Sequence, residues 1–375
     1  MKKGEPVGGK LLTPPFVLCL IIALIALYFL AKRFMLGLGA VTNMSDGYPW
    51  GIWITYDVVV GTALGCGGYA MALLVYIFNK GEYHPLVRPA LLASLMGYTL
   101  AAVSVFFDIG RYWQMHNLFL PWYANPNSVL LEVALCIAAY CLVLWIEFAP
   151  VFLQKFKFEK LDKKLNKIMF FIIALGILLP TMHQSSLGSV MIIAGPKLSP
   201  LWWTPLLPLL FLISAITMGY SFVLFESGIS TLRHKTPDEG NLLNKISAIF
   251  PWLIGIYLII RFADVVYRGH LGLVFSGGML GNLFLLENIL LLLPMLILAS
   301  PALRKRKRVI FFSAVSLLIA GTLYRFNAYI IGFNPGDNWT YFPAVPEMFI
   351  TLGIVSVELM VYLWFIKRLP VFQRA

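Results

Sequence analysis

Ten runs of apolar residues, each long enough to cross a bilayer, divide this 375-residue chain. They fall roughly at 15 to 36, 52 to 78, 87 to 112, 127 to 152, 166 to 185, 202 to 226, 246 to 267, 277 to 299, 309 to 332 and 345 to 366. A helix of about 20 apolar residues spans the hydrocarbon layer. Within lipid every backbone polar group must be satisfied inside the protein, and these runs are too long and continuous for barrel strands. The chain is therefore expected to be an all-α integral membrane protein of about ten transmembrane helices. With 60% hydrophobic and only 12% charged residues, the remainder leaves no room for a soluble domain.

The net charge of +12 invites a nucleic-acid reading, but the cations are distributed by loop instead of gathered on one face, and no nucleic-acid partner is expected. The N-terminus (Lys2, Lys3, Lys10), the stretches Lys80 to Arg88, Lys155 to Lys167, Arg233 to Lys245 and Arg304 to Arg308, and the tail (Lys367, Arg368, Arg374) are alternate segments. By the positive-inside rule they are cytoplasmic, with both termini inside. The loops near 37 to 51, 113 to 126, 186 to 201, 268 to 276 and 333 to 344 are then outside. Lys32 and Arg33, at the outer end of the first helix, run against the rule and are outvoted. The start MKKGEPVGGK resembles a signal peptide, but the run after it is long and lacks a clear cleavage site, so it is read as an uncleaved first helix.

Helices two to five align with six to nine in the same orientation. The second and sixth open on tryptophans (Trp50 and Trp53; Trp202 and Trp203) and carry Gly68-Tyr69 and Gly219-Tyr220 further on. The third and seventh end on Asp108 ahead of Tyr112 and Asp264 ahead of Tyr267. The fourth and eighth begin Leu-Leu-Glu at Glu132 and Glu287, and the fifth and ninth place His183 and Tyr324 near matching ends. Two tandem four-helix bundles are expected, at 46 to 195 and 196 to 335, with peripheral first and tenth helices in 1 to 45 and 336 to 375.

Ionisable residues inside the runs favour the outer half: Asp57, Asp108, Arg111, Glu132, His183, Asp264, Arg268, Glu287 and Arg325. A charge in lipid needs a partner or a function. At about 1.5 Å of rise per residue, Asp57, Asp108, Arg111, Glu132 and His183 are expected within one to two turns of the outer surface, with Pro180 bending the fifth helix. A flat apolar ring with two carbonyl oxygens, a quinone, suits such a place. Imidazole exchanges a proton near neutral pH, carboxylates orient it, and Trp50, Trp53, Tyr112 and Trp113 offer aromatic walls. Catalytic roles are expected of His183, Glu132 and Asp108, and quinone contacts also of Asp57, Arg111, Tyr112, Trp50 and Gln184. Tyr98, Glu132, Glu147 and Glu226 are expected to form a proton path. Cys19, Cys66, Cys136 and Cys141 show no paired spacing, so no metal or iron-sulfur site is expected. A b-type haem normally takes two histidines at similar depth, and only His183 among five approaches the interior; no haem is expected in this chain.

Plainer readings stand beside these. Asp108 and Arg111 at i, i+3 form an ion pair at a helix end, Asp264 pairs structurally with Arg261 or Arg268, and the outer tryptophans make an interface belt. The repeat and the Pro180 bend also fit a secondary transporter, though its site would lie deeper. A passive anchor is a third class.

The strings VTNMSDGYPWGIWI at 41 to 54, FFDIGRYW at 106 to 113, LLE at 130 to 132 and LPTMHQSSLGS at 179 to 189 resemble the polysulfide reductase and nitrite reductase membrane-anchor family. Within it they are similar to membrane subunits of periplasmic nickel-iron hydrogenases of the hydrogenase-2 type. That resemblance implies electron delivery to menaquinone near the periplasmic face of the bacterial inner membrane. It also implies a ferredoxin-like iron-sulfur subunit and nickel-iron large and small subunits as partners, which would hold the iron-sulfur clusters and the nickel-iron centre. A sibling oxidoreductase such as polysulfide reductase is the alternative branch, and a dimer of whole complexes is left open.

Overall fold

The computed structural model describes residues 4–234 and 239–373, so Lys2, Lys3, Lys235 and Arg374 of the basic segments lie outside the described residues. All ten apolar runs are helical. They are α1 (Pro14–Leu36), α2 (Trp53–Ile77), α3 (Gly81–Asp108), α4 (Val129–Phe156), α5 (Glu159–Ile193), α6 (Leu207–Leu232), α7 (Gly240–Tyr267), α8 (Met279–Ala299), α9 (Lys307–Ile331) and α10 (Val345–Arg368). The described β-structure is a two-residue antiparallel ribbon, β1 (Gly4–Glu5) with β2 (Phe372–Gln373), and an isolated bridge between Leu198 and Phe333. With ten crossings, the two described ends share one face, and backbone bonds from Val7 to Ile366 O (2.9 Å) and from Gly8 to Lys367 O (3.2 Å) tie them together.

Local chemistry sets the helix ends. Pro14 and Pro15 open α1, where their missing N–H groups cost nothing, and Gly37 closes it at φ 86°. Ser128 caps α4 by accepting from the Leu131 N–H, and Lys157 ends it in the left-handed region. α5 departs from the sequence expectation. It continues unbroken for 35 residues, through Pro180, to Ile193 instead of stopping near 185. In lipid, ending a helix exposes four carbonyls, whereas one proline forfeits a single bond, so continuation is the cheaper course.

α2 and α6 are the most enclosed spans. They cross at glycines: a Cβ on Gly219 would sit 2.5 Å from the Cys66 carbonyl, an approach only a bare backbone allows. α2 is also irregular. It is π-helical over Trp53–Val60 and Leu73–Ile77 and interrupted at Gly65 and Cys66, and such turns recur where backbone groups are needed for something besides the helix. α4 packs along α5 and α8 along α9, while α1 rests on α10, Gly353 receiving Ala26. α10 is less peripheral than expected, since it also packs on α2 and α3.

Candidate functional site

The centre of the molecule holds a buried polar chain drawn from four spans. The Tyr98 hydroxyl of α3 lies 2.8 Å from His183 Nε2 on α5. His183 Nδ1 is 3.0 Å from the Leu179 carbonyl, which can only accept, so Nδ1 carries the hydrogen and Nε2 is the acceptor for the Tyr98 O–H. Gln184 Nε2 donates to His183 Nε2 and to Thr62 Oγ1 on α2, each at 3.0 Å. Its Oε1 accepts from Arg325 Nη2 of α9 at 3.3 Å. Arg325 also donates to Val59 O (2.9 Å) and Ser214 Oγ (3.1 Å) and lies over the Phe211 ring. Tyr98, His183, Gln184 and Arg325 are all at 0% exposure.

Among the described residues this cation has no carboxylate partner, unlike Arg261, which pairs with Glu287, and Arg268, which pairs with Asp264. Neutral oxygens, a sulfur and an aromatic face therefore surround the Arg325 charge.

Ten residues, about 15 Å of helix, separate His183 from Ile193 at the end of α5. Tyr98 stands equally far from Asp108. Ser186, one turn past His183, meets Glu132 in the first turn of α4, and the other candidate residues fall into separate groups.

Glu132 is exposed in the first turn of α4 at the cation-poor end. It accepts from Ser186 Oγ at 2.7 Å, one turn beyond His183 on α5, and so connects to the buried chain through that helix. Asp57 lies in another cluster, buried at the start of α2, where Oδ2 accepts from Ser104 (2.7 Å) and Thr351 of α10 (3.5 Å). The Oδ1 atoms of Asp57 and Asp108 are buried without a protein partner. Arg111 is exposed and forms no ion pair with Asp108 among the described residues. The cation built into this corner is Arg33, at 1% exposure, donating to Phe107 O (2.7 Å) and Ile109 O (2.5 Å) and stacked on Tyr112. Trp50 donates to Tyr329 O at 2.9 Å.

Over this corner, Glu347 gathers the loops at the cation-poor end, accepting from Asn43 N (3.0 Å), Ala344 N (2.7 Å) and the Tyr341 hydroxyl (2.8 Å). Burial, and then the Glu347 charge, push the Tyr341 phenol above its ordinary range, so it keeps the proton it donates. Sequence reasoning does not single out Arg33, Glu347 or Arg325 as site residues. Arg33 does carry a signal, being one of two cations that break the charge rule.

In the second half Glu287 is fully buried against Arg261 (3.0 Å), Trp202 Nε1 (3.0 Å) and Asn327 Nδ2 (2.6 Å). Asp264 pairs with Arg268, not Arg261. Of the remaining expected path, Glu226 accepts from Tyr362 of α10 and Ser230, and Glu147 lines a cavity toward the basic loops.

Comparison with known proteins places this architecture. The model of the family described as polysulphide reductase, NrfD matches residues 40–336. The chain is 42% identical over 370 residues to the probable Ni/Fe-hydrogenase 2 b-type cytochrome subunit of Escherichia coli, covering 98% of this chain and 94% of that one. It is 30% identical over 373 residues to the integral membrane subunit of menaquinone reductase from Nitratidesulfovibrio vulgaris, covering 90% and 86%. A selenate reductase subunit of Mesobacillus selenatarsenatis is 22% identical over 411 residues, covering 94% and 92%.

The expectation that this chain carries no haem is corrected by the Escherichia coli relative, whose name is that of a b-type cytochrome subunit. The described residues do not themselves form a histidine pair for such a group: both ring nitrogens of His183 are within hydrogen-bond distance of protein atoms. His84, His116 and His270 lie at or beyond the ends of spans. A family model covering most of its length and two relatives of 30% identity or more along nearly all of it make this ten-span membrane protein a member of the polysulphide reductase NrfD family.

Proposed function

We propose that this chain is the quinone-reactive membrane subunit of an oxidoreductase in the bacterial inner membrane. It receives electrons from an iron-sulfur subunit on the periplasmic side, with nickel-iron large and small subunits oxidising hydrogen. The names of the hydrogenase and menaquinone reductase relatives support this reading. The observation that carries it is the Tyr98–His183–Gln184 chain, a buried proton-exchanging group one helical turn from the buried Ser186, which holds the exposed Glu132.

The chemistry is balanced simply. Menaquinone takes two electrons from the partner and two protons, and each carbonyl becomes a hydroxyl. Glu132 is exposed where a lipid-borne ring arrives from the bilayer, and Ser186 orients its carboxyl. The Tyr98 hydroxyl and His183 Nε2 share a hydrogen bond along which a proton moves without crossing open lipid. The reverse reaction uses the same groups. Asp57, Asp108, Tyr112 and Trp50 border the same end of the molecule and serve as ring contacts in this reading, with Arg111 exposed toward the docked partner.

A second reading, a secondary transporter, draws on one observation, the interrupted and π-helical α2, since broken helices mark transporter sites. His183→Ala in the whole complex separates the readings. Loss of hydrogen-dependent quinone reduction with dye-linked hydrogenase activity retained supports the redox reading. Retention of both activities, with solute uptake by the chain in vesicles, overturns it.

A further inference from the structure

The four helices of the second half, α6, α7, α8 and α9, enclose a cavity of about 10 Å³. That is close to the space one water molecule needs. Four polar side chains line it, Ser214 and Thr217 of α6, Tyr257 of α7 and Tyr324 of α9, and the rest of the wall is apolar. All four are buried. Tyr324 is the residue that the repeat sets against His183.

The hydrogens of these groups are unevenly spent. Ser214 Oγ gives its hydrogen to the Phe211 carbonyl and Thr217 Oγ1 to the Ile213 carbonyl, each at 2.9 Å, so both oxygens can only accept. Ser214 takes one hydrogen from Arg325 Nη1 at 3.1 Å and keeps a second lone pair. The tyrosines are the reverse case. Their rings meet edge-on with centroids 5.9 Å apart and their hydroxyls are neighbours, yet neither hydroxyl makes a hydrogen bond to a protein atom. Each therefore has a hydrogen to give, and a buried hydroxyl left unpaired within the hydrocarbon is costly.

Charge narrows the choice of ligand. A cation does not suit the place, because Arg261 lies over the Tyr324 ring, 5.1 Å from its centroid, and Arg325 stands at Ser214. An anion would face the lone pairs of Ser214 and Thr217. A small neutral molecule that both accepts and donates meets neither objection.

We propose that a single structural water occupies this cavity, accepting from the Tyr257 and Tyr324 hydroxyls and donating to Ser214 Oγ and Thr217 Oγ1. Two hydrogen bonds in and two out satisfy the water and all four side chains. Through Ser214 the water meets the cradle of Arg325, and through Tyr324 it meets the ring beneath Arg261, the partner of Glu287. It fastens α6 to α7 and α9, and it joins the buried ion pair of the second half to the polar chain around His183. None of this depends on the quinone reading.

Radiolytic footprinting of the intact complex tests it, because hydroxyl radicals born from a bound water mark the side chains around that water, however deeply they are buried. Tyr257 and Tyr324 should be oxidised in the beam. After a switch to water labelled with heavy oxygen, the label should reach them more slowly than it reaches Tyr267, which is 91% exposed. Ala320→Val, which fills the cavity from α9, should abolish the oxidation of both tyrosines. Tyr257→Phe keeps the ring, removes one donor and should reduce oxidation at Tyr324. A wild-type complex in which neither tyrosine is oxidised overturns the proposal. So does label arriving as fast as at Tyr267, or undiminished oxidation of Tyr324 in the two variants.

Discussion

Gln184 and Arg325 follow His183 and Tyr324, the residues paired across the two halves of the sequence, and they are hydrogen-bonded to each other, Nη2 to Oε1 at 3.3 Å. Guanidinium can only donate, so Arg325 dictates which end of the Gln184 amide faces it. The NH2 end is thereby aimed at His183 and Thr62, and the second half of the chain sets the hydrogen bonding of the first.

Replacing either partner should destabilise the protein by about 1–3 kcal/mol through the acceptors left unpaired. Gln184→Leu with Arg325→Leu should reveal a coupling of about 1–2 kcal/mol in a double-mutant cycle on unfolding in detergent. Additive single effects would show that the two halves meet there without energetic communication.

Tyr98→Phe removes the hydroxyl that donates to His183 Nε2 and keeps the ring packing against Tyr140. Quinone reduction should fall by about 100-fold or more while the assembled complex retains dye-linked activity. An unchanged rate would remove Tyr98 from the proton route.

Glu287 and Arg261 are a buried pair at 1% exposure each. Glu287→Gln strands a cation and should cost about 3–5 kcal/mol, whereas replacing both by leucine should cost much less. Thermal unfolding of the three variants distinguishes this from a pair that owes its place to catalysis.

Tyr341 gives an alkaline signature. Its phenol is raised in the folded protein, by burial and then by Glu347. Above the ordinary tyrosine range, from about pH 10, the unfolded chain loses that proton while the folded one holds it, so stability is full below that pH and declines as pH rises. Tyr341→Phe should flatten the decline in melting temperature between about pH 9 and 11. An identical slope in the variant would place the alkaline transition elsewhere.

Much of the architecture is legible in the sequence because a bilayer imposes length and apolarity on each span, and both are visible residue by residue. The termini of spans are less so. Pro180 reads locally as a bend and the run as ending near 185, and only the cost of opening a helix in lipid explains why α5 continues to Ile193. Tyr98 and His183 both stand out in the sequence, but their contact joins residues 85 apart in the chain, and spacing does not reveal it. Arg33 reads as an exception to the charge rule, yet it closes the end of α3. Glu347 sits at a helix start, where a carboxylate accepting from nearby Ala344 and Tyr341 is ordinary, and spacing does not reveal that Asn43, 304 residues away, donates to it as well.

The neutral cradle around Arg325 has a consequence for biogenesis. Its acceptors belong to α2, α5 and α6, all synthesised before α9. An arginine near a helix centre costs about 2.5–3.5 kcal/mol on entering lipid alone. The ninth span therefore becomes comfortable in the bilayer only when the earlier ones are already assembled as a receptor for it, so that translation order and folding order coincide.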